Sequence, residues 1–323
     1  MIGWYAHDHG SGHRQRLECI AAQLRTPVTG LSSLARPGDF PGSWVQLPSD
    51  HPTGHDSDPT AGGTLHWAPR HHAGLRERMA LITEFVARER PALMVVDVSV
   101  EVAVLVRSMG VPVVVAAMRG ERTDRAHTTA YDLADALLAP WPADRPEPWP
   151  AHWLSKTWHV GAISRLDHLQ AEPAAGRHRV GVLWGRGGSS VTAADIDAAA
   201  ARTPAWTWDA AGLSGAATDP WRLLQDCDVV VTHGGQNALA EVAAARRPAI
   251  VIPQDRPHDE QRANARALGD LAIVRDTWPA PQDWSRLLED ACQQDVSRWG
   301  QWSDGQGAAR AATRLDELAA WPT

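Results

Sequence analysis

Cysteine is scarce: only Cys19, Cys227 and Cys292 occur in 323 residues, and no two of them form a Cys-x-x-Cys pair. Neither a disulfide framework nor a thiolate zinc site is therefore encoded, and the three read as reduced core residues of a cytoplasmic protein. Phe and Tyr are nearly missing, at two each, against 16 Trp, so Trp must serve as the general aromatic filler. No excess of positive charge exists, since 31 Lys and Arg face 38 Asp and Glu for a net charge of -7. A nucleic acid or an anionic membrane is disfavoured as partner on that ground. Long apolar runs are missing too: the most apolar stretch, 92–118, is interrupted by Asp97, Ser99, Glu101, Arg107 and Pro112, which rules against an ordinary membrane span. The opening MIGWYAHDHGSG has no basic segment leading into an apolar one, so no signal peptide is expected and the protein is read as soluble.

What is present is globular composition, with 44% hydrophobic and 21% charged residues, in a chain long enough for two domains. An apolar run at 2–6 enters the turn His9-Gly10-Ser11-Gly12-His13 and then a helical pattern through Leu17, Ile20 and Leu24. The strand, loop and helix unit recurs at 92–98 with its following helix and at 111–117, and 134–140 is read as completing the first sheet. Near-continuous Val runs point to strands covered on both faces, as in parallel sheets. Residues 141–177, rich in Pro and Trp, read as an interdomain connection. The pattern restarts at 179–190, 205–210, 228–245 and 249–254, and Ala-rich 306–321 has the spacing of a terminal helix. The expected division is an N-terminal α/β domain over 1–164, a linker over 165–178, a C-terminal α/β domain over 179–305 and the last helix over 306–323.

The stretch 228–264 carries the strongest signal. A Val-rich strand ends at Thr232, turns through His233-Gly234-Gly235-Gln236 and starts a helix at Asn237. Paired glycines let a diphosphate approach the backbone, where the unpaired N–H groups and positive dipole end of the helix stabilise its charge without a metal. Glu241, one turn beyond Asn237, is placed to chelate a ribose diol. After a strand ending at Pro253, a loop carries Glu260 and Gln261, suited to sugar hydroxyls, and Asn264 is read as opening a helix.

The run H-G-G-x-N-x-L-x-E, then Pro, then E-Q-x-x-N-A resembles the donor-site signature of UDP-glycosyltransferases, and is similar to that of the bacterial N-acetylglucosaminyltransferase family that completes the peptidoglycan lipid intermediate. The resemblance implies a GT-B fold: two Rossmann-like domains with parallel sheets facing a central cleft, acceptor on the first and donor on the second, and a C-terminal helix returning toward the N-terminal domain. It implies that His233, Gly234, Gly235, Gln236 and Asn237 meet the diphosphate, Glu241 the ribose, and Glu260 with Gln261 the donor sugar. Glu260 stands where that family often has Asp, and Ala245-Arg246-Arg247-Pro248 stands where a Gly usually ends the helix; the second change is expected to be tolerated.

Gly12-His13 resembles the family's Gly-His motif, whose His is the general base of many inverting members, and it sits at the crevice position of an open α/β sheet. Imidazole titrates in the range such a base needs. Asp97, at the end of a neighbouring strand, is the expected orienting carboxylate. A helix N-cap is the competing reading of Asp97, and a first-turn surface residue that of His13. By position Gly188 and Ser189 resemble the family's second Gly-rich turn, whose backbone N–H and Ser hydroxyl approach the diphosphate, so that with Gly12 they join the donor-binding residues that the resemblance implies; a plain turn is the alternative reading of 188–189. His7 and His9 beside His13 lack fixed ligand spacing, so no metal is expected, nor any cofactor beyond the nucleotide-sugar co-substrate. The segment 75–90, with Arg76, Arg78, Arg88 and Arg90 among acidic residues, reads as a solvated amphipathic helix.

The expected activity is inverting transfer from a nucleotide-diphosphate sugar, UDP-linked in the family, to an acceptor hydroxyl. A natural product, a lipid-linked sugar and a polysaccharide end all stay open as acceptor, with peripheral membrane contact compatible. The competing readings are a nucleotide-sugar 2-epimerase of the same fold and a non-catalytic nucleotide-sugar-binding paralogue.

Overall fold

The computed structural model describes residues 1–8, 12–52, 54, 57–184, 191–211 and 219–321. Its contacts divide the chain into two units. Met1–Met118, Arg122–Val160 and Gly307–Thr323 make the first, and Arg119–Glu121 with Gly161–Gln306 the second.

The first unit runs β1 (Ile2–Ala6), α1 (Gly12–Ala21), β2 (Val28–Ser32), β3 (Ser43–Gln46), α2 (Ala73–Glu89), β4 (Leu93–Asp97), α3 (Val100–Ser108), β5 (Val113–Ala116), α4 (Arg125–Leu133), β6 (Ala136–Ala139), α5 (Ala151–Leu154) and β7 (Thr157–His159). These strands form one parallel sheet in the order β3-β2-β1-β4-β5-β6-β7. The chain winds outward from β1 in one direction and from β4 in the other, which makes the β1/β4 boundary the switch point where open sheets leave a crevice at their carboxyl ends. Ala6 and Asp97 are register partners there. β4, apolar up to its closing Asp97, and the all-apolar β5 are buried along their whole length, as expected of strands covered on both faces.

The sheet extends one strand beyond the run at 134–140. Within the stretch expected as a connection, Thr157–His159 pairs with β6 as an edge strand. Three half-buried residues are too few to show a period, which is why the sequence pattern passed over it; β2 and β3 were passed over as well. A second difference concerns α2. Arg78 is not on a solvated face but 1% exposed, donating to Asp50 Oδ2 (2.7 Å), Tyr5 Oη (2.9 Å) and the Pro48 carbonyl (2.9 Å). A carboxylate and neutral acceptors that surround the guanidinium make its burial possible.

The second unit runs β8 (Arg179–Leu183), α6 (Ala193–Arg202), β9 (Thr207–Ala211), α7 (Pro220–Asp226), β10 (Val229–Thr232), α8 (Gln236–Ala245), β11 (Ala249–Val251), α9 (Glu260–Leu268), β12 (Ile273–Val274) and α10 (Trp284–Cys292). Its parallel sheet has the order β12-β11-β10-β8-β9, so the switch point lies between β8 and β10. Thr232 Oγ1 ties the two strand ends by donating to the Leu183 carbonyl at 2.8 Å.

The last helix, α11 (Gly307–Ala319), belongs to the first unit. Its Asp316 accepts from the backbone N–H groups of Arg25 (3.1 Å) and Thr26 (2.9 Å) just beyond α1. Trp4, Trp141, Trp284 and Trp299 are among the largest fully buried side chains, so Trp does act as core filler. Among the described residues no helix is long and apolar enough to cross a membrane.

Candidate active site

At the switch point of the first sheet, β1 leads toward α1, whose first residues are Gly12 and His13, while β4 delivers Asp97 beside it. His13 Nδ1 lies 2.9 Å from Asp97 Oδ1. An ionised carboxylate only accepts, so Nδ1 carries the proton and Nε2 is left as the basic nitrogen. Asp97 is wholly buried, and Arg16 Nη1 donates to both its oxygens, at 2.7 and 2.9 Å. Burial alone would raise the Asp97 carboxyl; the charges of Arg16 and His13, with their hydrogen bonds, outweigh it and hold it below the ordinary range. The N-cap alternative for Asp97 is settled by α3, whose cap is Ser99, accepting from Val102 N–H at 3.2 Å. Between them Val98 adopts φ +66°, a strained value for a β-branched residue, and this turn lets Asp97 serve α1 while Ser99 serves α3.

His7 stands edge-on to His13 with ring centroids 6.2 Å apart. Burial, then the neighbouring His13, lowers its pKa, against the attraction of Asp8. His9 lies outside the described residues.

A pocket in the same unit is lined by His66, Val98, Ser99, Arg122, His127 and Tyr131 among others. Asp124 accepts from His66 Nε2 at 3.1 Å and forms a short hydrogen bond with His127 Nδ1. Arg122 Nη1 is 3.1 Å from His127 Nε2, and since guanidinium only donates, that nitrogen must accept. Two imidazoles and a carboxylate have the composition of a metal site, yet the guanidinium fixes a neutral His127 with its proton on Nδ1 and opposes a second cation. The side chains form a chain of hydrogen bonds beside the pocket. Burial above all, with Arg122 assisting against the Asp124 bond, lowers the His127 pKa to about 4 from 6.5.

The unfolded chain therefore takes up a proton at His127 between pH 6.5 and 4 where the folded chain does not, so stability rises with pH through that window and is lost on acidification. Moving from pH 7 to 5 is expected to remove on the order of 1–2 kcal/mol through this group. Thermal melts should show His127→Gln losing less Tm than the wild type over that step; equal losses would refute the assignment.

The second unit holds the glycine turn. Gly235 caps α8 without a side-chain bond, and its own N–H donates to His233 Nδ1 at 2.9 Å. His233 is thus protonated on Nε2 when neutral, and burial, with Arg256 nearby, lowers its pKa to about 4. The Gly234 carbonyl accepts from Asn264 Nδ2 at 2.9 Å, and Gln261 Oε1 accepts from Gln254 N–H at 2.9 Å. The turn is therefore bolted to α9 from behind.

Glu241 is 7% exposed rather than an open helix carboxylate, with Arg165 Nε donating to its Oε1 at 2.8 Å. Burial raises its pKa, against the pull of Arg165. A helix start without a side-chain cap, flanked by a neutral His and a buried carboxylate one turn on, has the chemistry to take a phosphate followed by a polyol.

Residues 219–275 match the model of the glycosyltransferase family 28 C-terminal domain. No curated protein matches the chain. Among solved structures, the glycotransferase of kitacinnamycin superposes with a TM-score of 0.69 at 16% identity, covering 98% of each chain. MurG of Acinetobacter baumannii gives 0.66 at 13%, covering 98% of this chain and 99% of that one. UGT2 of Phytolacca americana, solved with UDP-2fluoro-glucose and pterostilbene, gives 0.66 at 16%, covering 98% and 93%. The chain has a GT-B fold, and residues 219–275 are similar to a glycosyltransferase C-terminal domain. The match over 219–275 is what supports glycosyl transfer as its activity.

Within that fold the structure brings His13 and Asp97 into contact at one switch point. At the other it gathers His233, Gly234, Gly235 and Gln261, with Gln236 and Asn237 half-buried in the first turn of α8. Gly188 and Ser189 lie outside the described residues. The helix starts one residue earlier than expected, at Gln236. Glu260 and Gln261 form the first turn of α9 rather than a loop, and Asn264 sits in mid-helix, because the chain turns sharply at His258 and Asp259, both with positive φ. Arg246, where the family usually has Gly, takes φ +51° and offsets the strain by donating to the Ala243 and Ser303 carbonyls at 2.7 and 2.9 Å. Arg16, Arg165 and the His66–Asp124–His127 group were missed; only Arg16 left a trace in the sequence, three residues after His13 on one helix face.

Proposed function

We propose that the chain is an inverting glycosyltransferase that moves a sugar from a UDP-sugar to an acceptor hydroxyl, with His13 as general base. The observation that carries this is the His13–Asp97 pair at the switch point of the first sheet. Nε2 of His13 takes the acceptor proton while the acceptor oxygen attacks the anomeric carbon. The bond to the diphosphate breaks on the opposite face, so one displacement inverts the centre, and Asp97 stabilises the imidazolium that results. The leaving diphosphate gathers charge at the start of α8, where Gln236 and Asn237 open the helix without a side-chain cap, and helix N–H groups stabilise that charge without a metal ion.

Glu241 is assigned to the ribose. With Arg165 on Oε1, a hydroxyl is to be held by the remaining oxygen or by exchange with the guanidinium. A thermal-shift screen of UDP-, dTDP- and GDP-sugars should single out the UDP series. Glu241→Ala should then weaken UDP binding about tenfold or more in calorimetry, the scale of a hydrogen bond to a charged group. Unaltered affinity rejects the ribose contact, and no shift with any nucleotide-sugar rejects the donor class.

A further inference from the structure

We propose that Arg16 is a positioning residue of the catalytic pair, so that the unit acting on the acceptor is His13–Asp97–Arg16; the inference rests on the reading of His13 as base. Residues 13 and 16 share one face of α1, and both reach the single carboxylate at the end of β4. Arg16 is itself 6% exposed and Asp97 is 0% exposed, so neither charge is solvated by water and each must be balanced by the other. The arrangement is asymmetric. Arg16 Nη1 spans both carboxylate oxygens, at 2.7 Å from Oδ1 and 2.9 Å from Oδ2, while His13 Nδ1 bonds only Oδ1, at 2.9 Å.

Two consequences follow. The guanidinium keeps Asp97 ionised in a site whose burial favours the neutral acid, and an acid with a proton on Oδ1 would no longer accept from Nδ1. It also fixes the rotation of the carboxylate, so that Oδ1 faces the imidazole and the proton stays on Nδ1, which keeps Nε2 basic. Two described neighbours do neither: His7 meets His13 edge-on, and Asp8 acts on His7.

The test is the tautomer of His13, read from imidazole nitrogen and carbon-bound proton resonances of the ¹⁵N-histidine-labelled full chain above pH 8, without any sugar ligand. The wild type should show one tautomer, protonated on Nδ1. Arg16→Met, which keeps the stem and removes the charge, should show a mixture of the two, and Arg16→Lys should restore most of the Nδ1–H form. If the Met variant fails to fold, Arg16→Gln is read in its place with the same expectation. A single Nδ1–H tautomer in the neutral variant overturns the proposal, since an ion pair that only stabilises the fold would leave the imidazole unchanged. That failure is separable from failure of the functional reading: undiminished transfer by His13→Ala would reject the base, whatever the tautomer shows.

Discussion

His13→Ala is expected to lower transfer by about 10²- to 10⁴-fold, the range over which a positioned base contributes, while UDP affinity stays unchanged. The imidazole belongs to the first unit, and the glycine turn assigned to the diphosphate belongs to the second. Removing it takes nothing from that turn. Nor should the fold suffer greatly, because Asp97 keeps both hydrogen bonds from Arg16 and is not left as an unpaired buried charge, the outcome that makes most dyad truncations destabilising. The measurements are product formation from a UDP-sugar with an accepted hydroxyl compound and calorimetry with UDP. Undiminished turnover would sink the base assignment. Lost UDP binding would instead mean that the substitution had disturbed more than one site.

The contact of His13 with Asp97 was legible because two unrelated signals met: a Gly-His turn after the first strand, and a carboxylate closing a later Val-rich strand. Parallel strands adjacent at a switch point bring such residues together whatever separates them in sequence, here 84 positions, and a strand order of this kind follows from the repeated strand-helix pattern. Arg16 was harder to read, since an Arg in a surface helix is ordinarily solvated; only the burial of Asp97 reveals its partner. Arg78 shows the same limit. Its charge pattern along α2 is that of an exposed helix, and its burial depends on Tyr5 of β1 and Asp50 in the loop after β3, which carry no shared motif. The group of His66, Asp124 and His127 joins a loop residue to the N-cap and first turn of α4, 58 positions away, and no periodicity records that a loop side chain will meet a helix start. Asn264 was legible as a motif residue but not in its task, because holding the Gly234 carbonyl is a tertiary bond from α9 to the turn before α8.

Gly234→Ala is expected to disable the donor turn, and far more than Gly235→Ala. A Cβ at Gly234 would lie 2.3 Å from the Gln261 carbonyl oxygen and 3.0 Å from its carbon, both backbone atoms of α9 that no rotamer change can move. Relief requires the turn to part from the helix. That stretches the Asn264 bond to the Gly234 carbonyl and tilts the start of α8 away from the diphosphate it is proposed to hold. Overpacking of this kind costs about 1–3 kcal/mol of stability, and displacement of backbone N–H donors should weaken UDP binding by about 100-fold. At Gly235 the added Cβ would instead meet the His233 ring, 2.3 Å from Cε1. A side chain can swing aside at the cost of one hydrogen bond, on the order of 1 kcal/mol. Calorimetry with UDP and thermal melts on both variants check the contrast. Equal, small losses would mean that the turn tolerates separation from α9 and that the bolt from Asn264 is not what positions the donor.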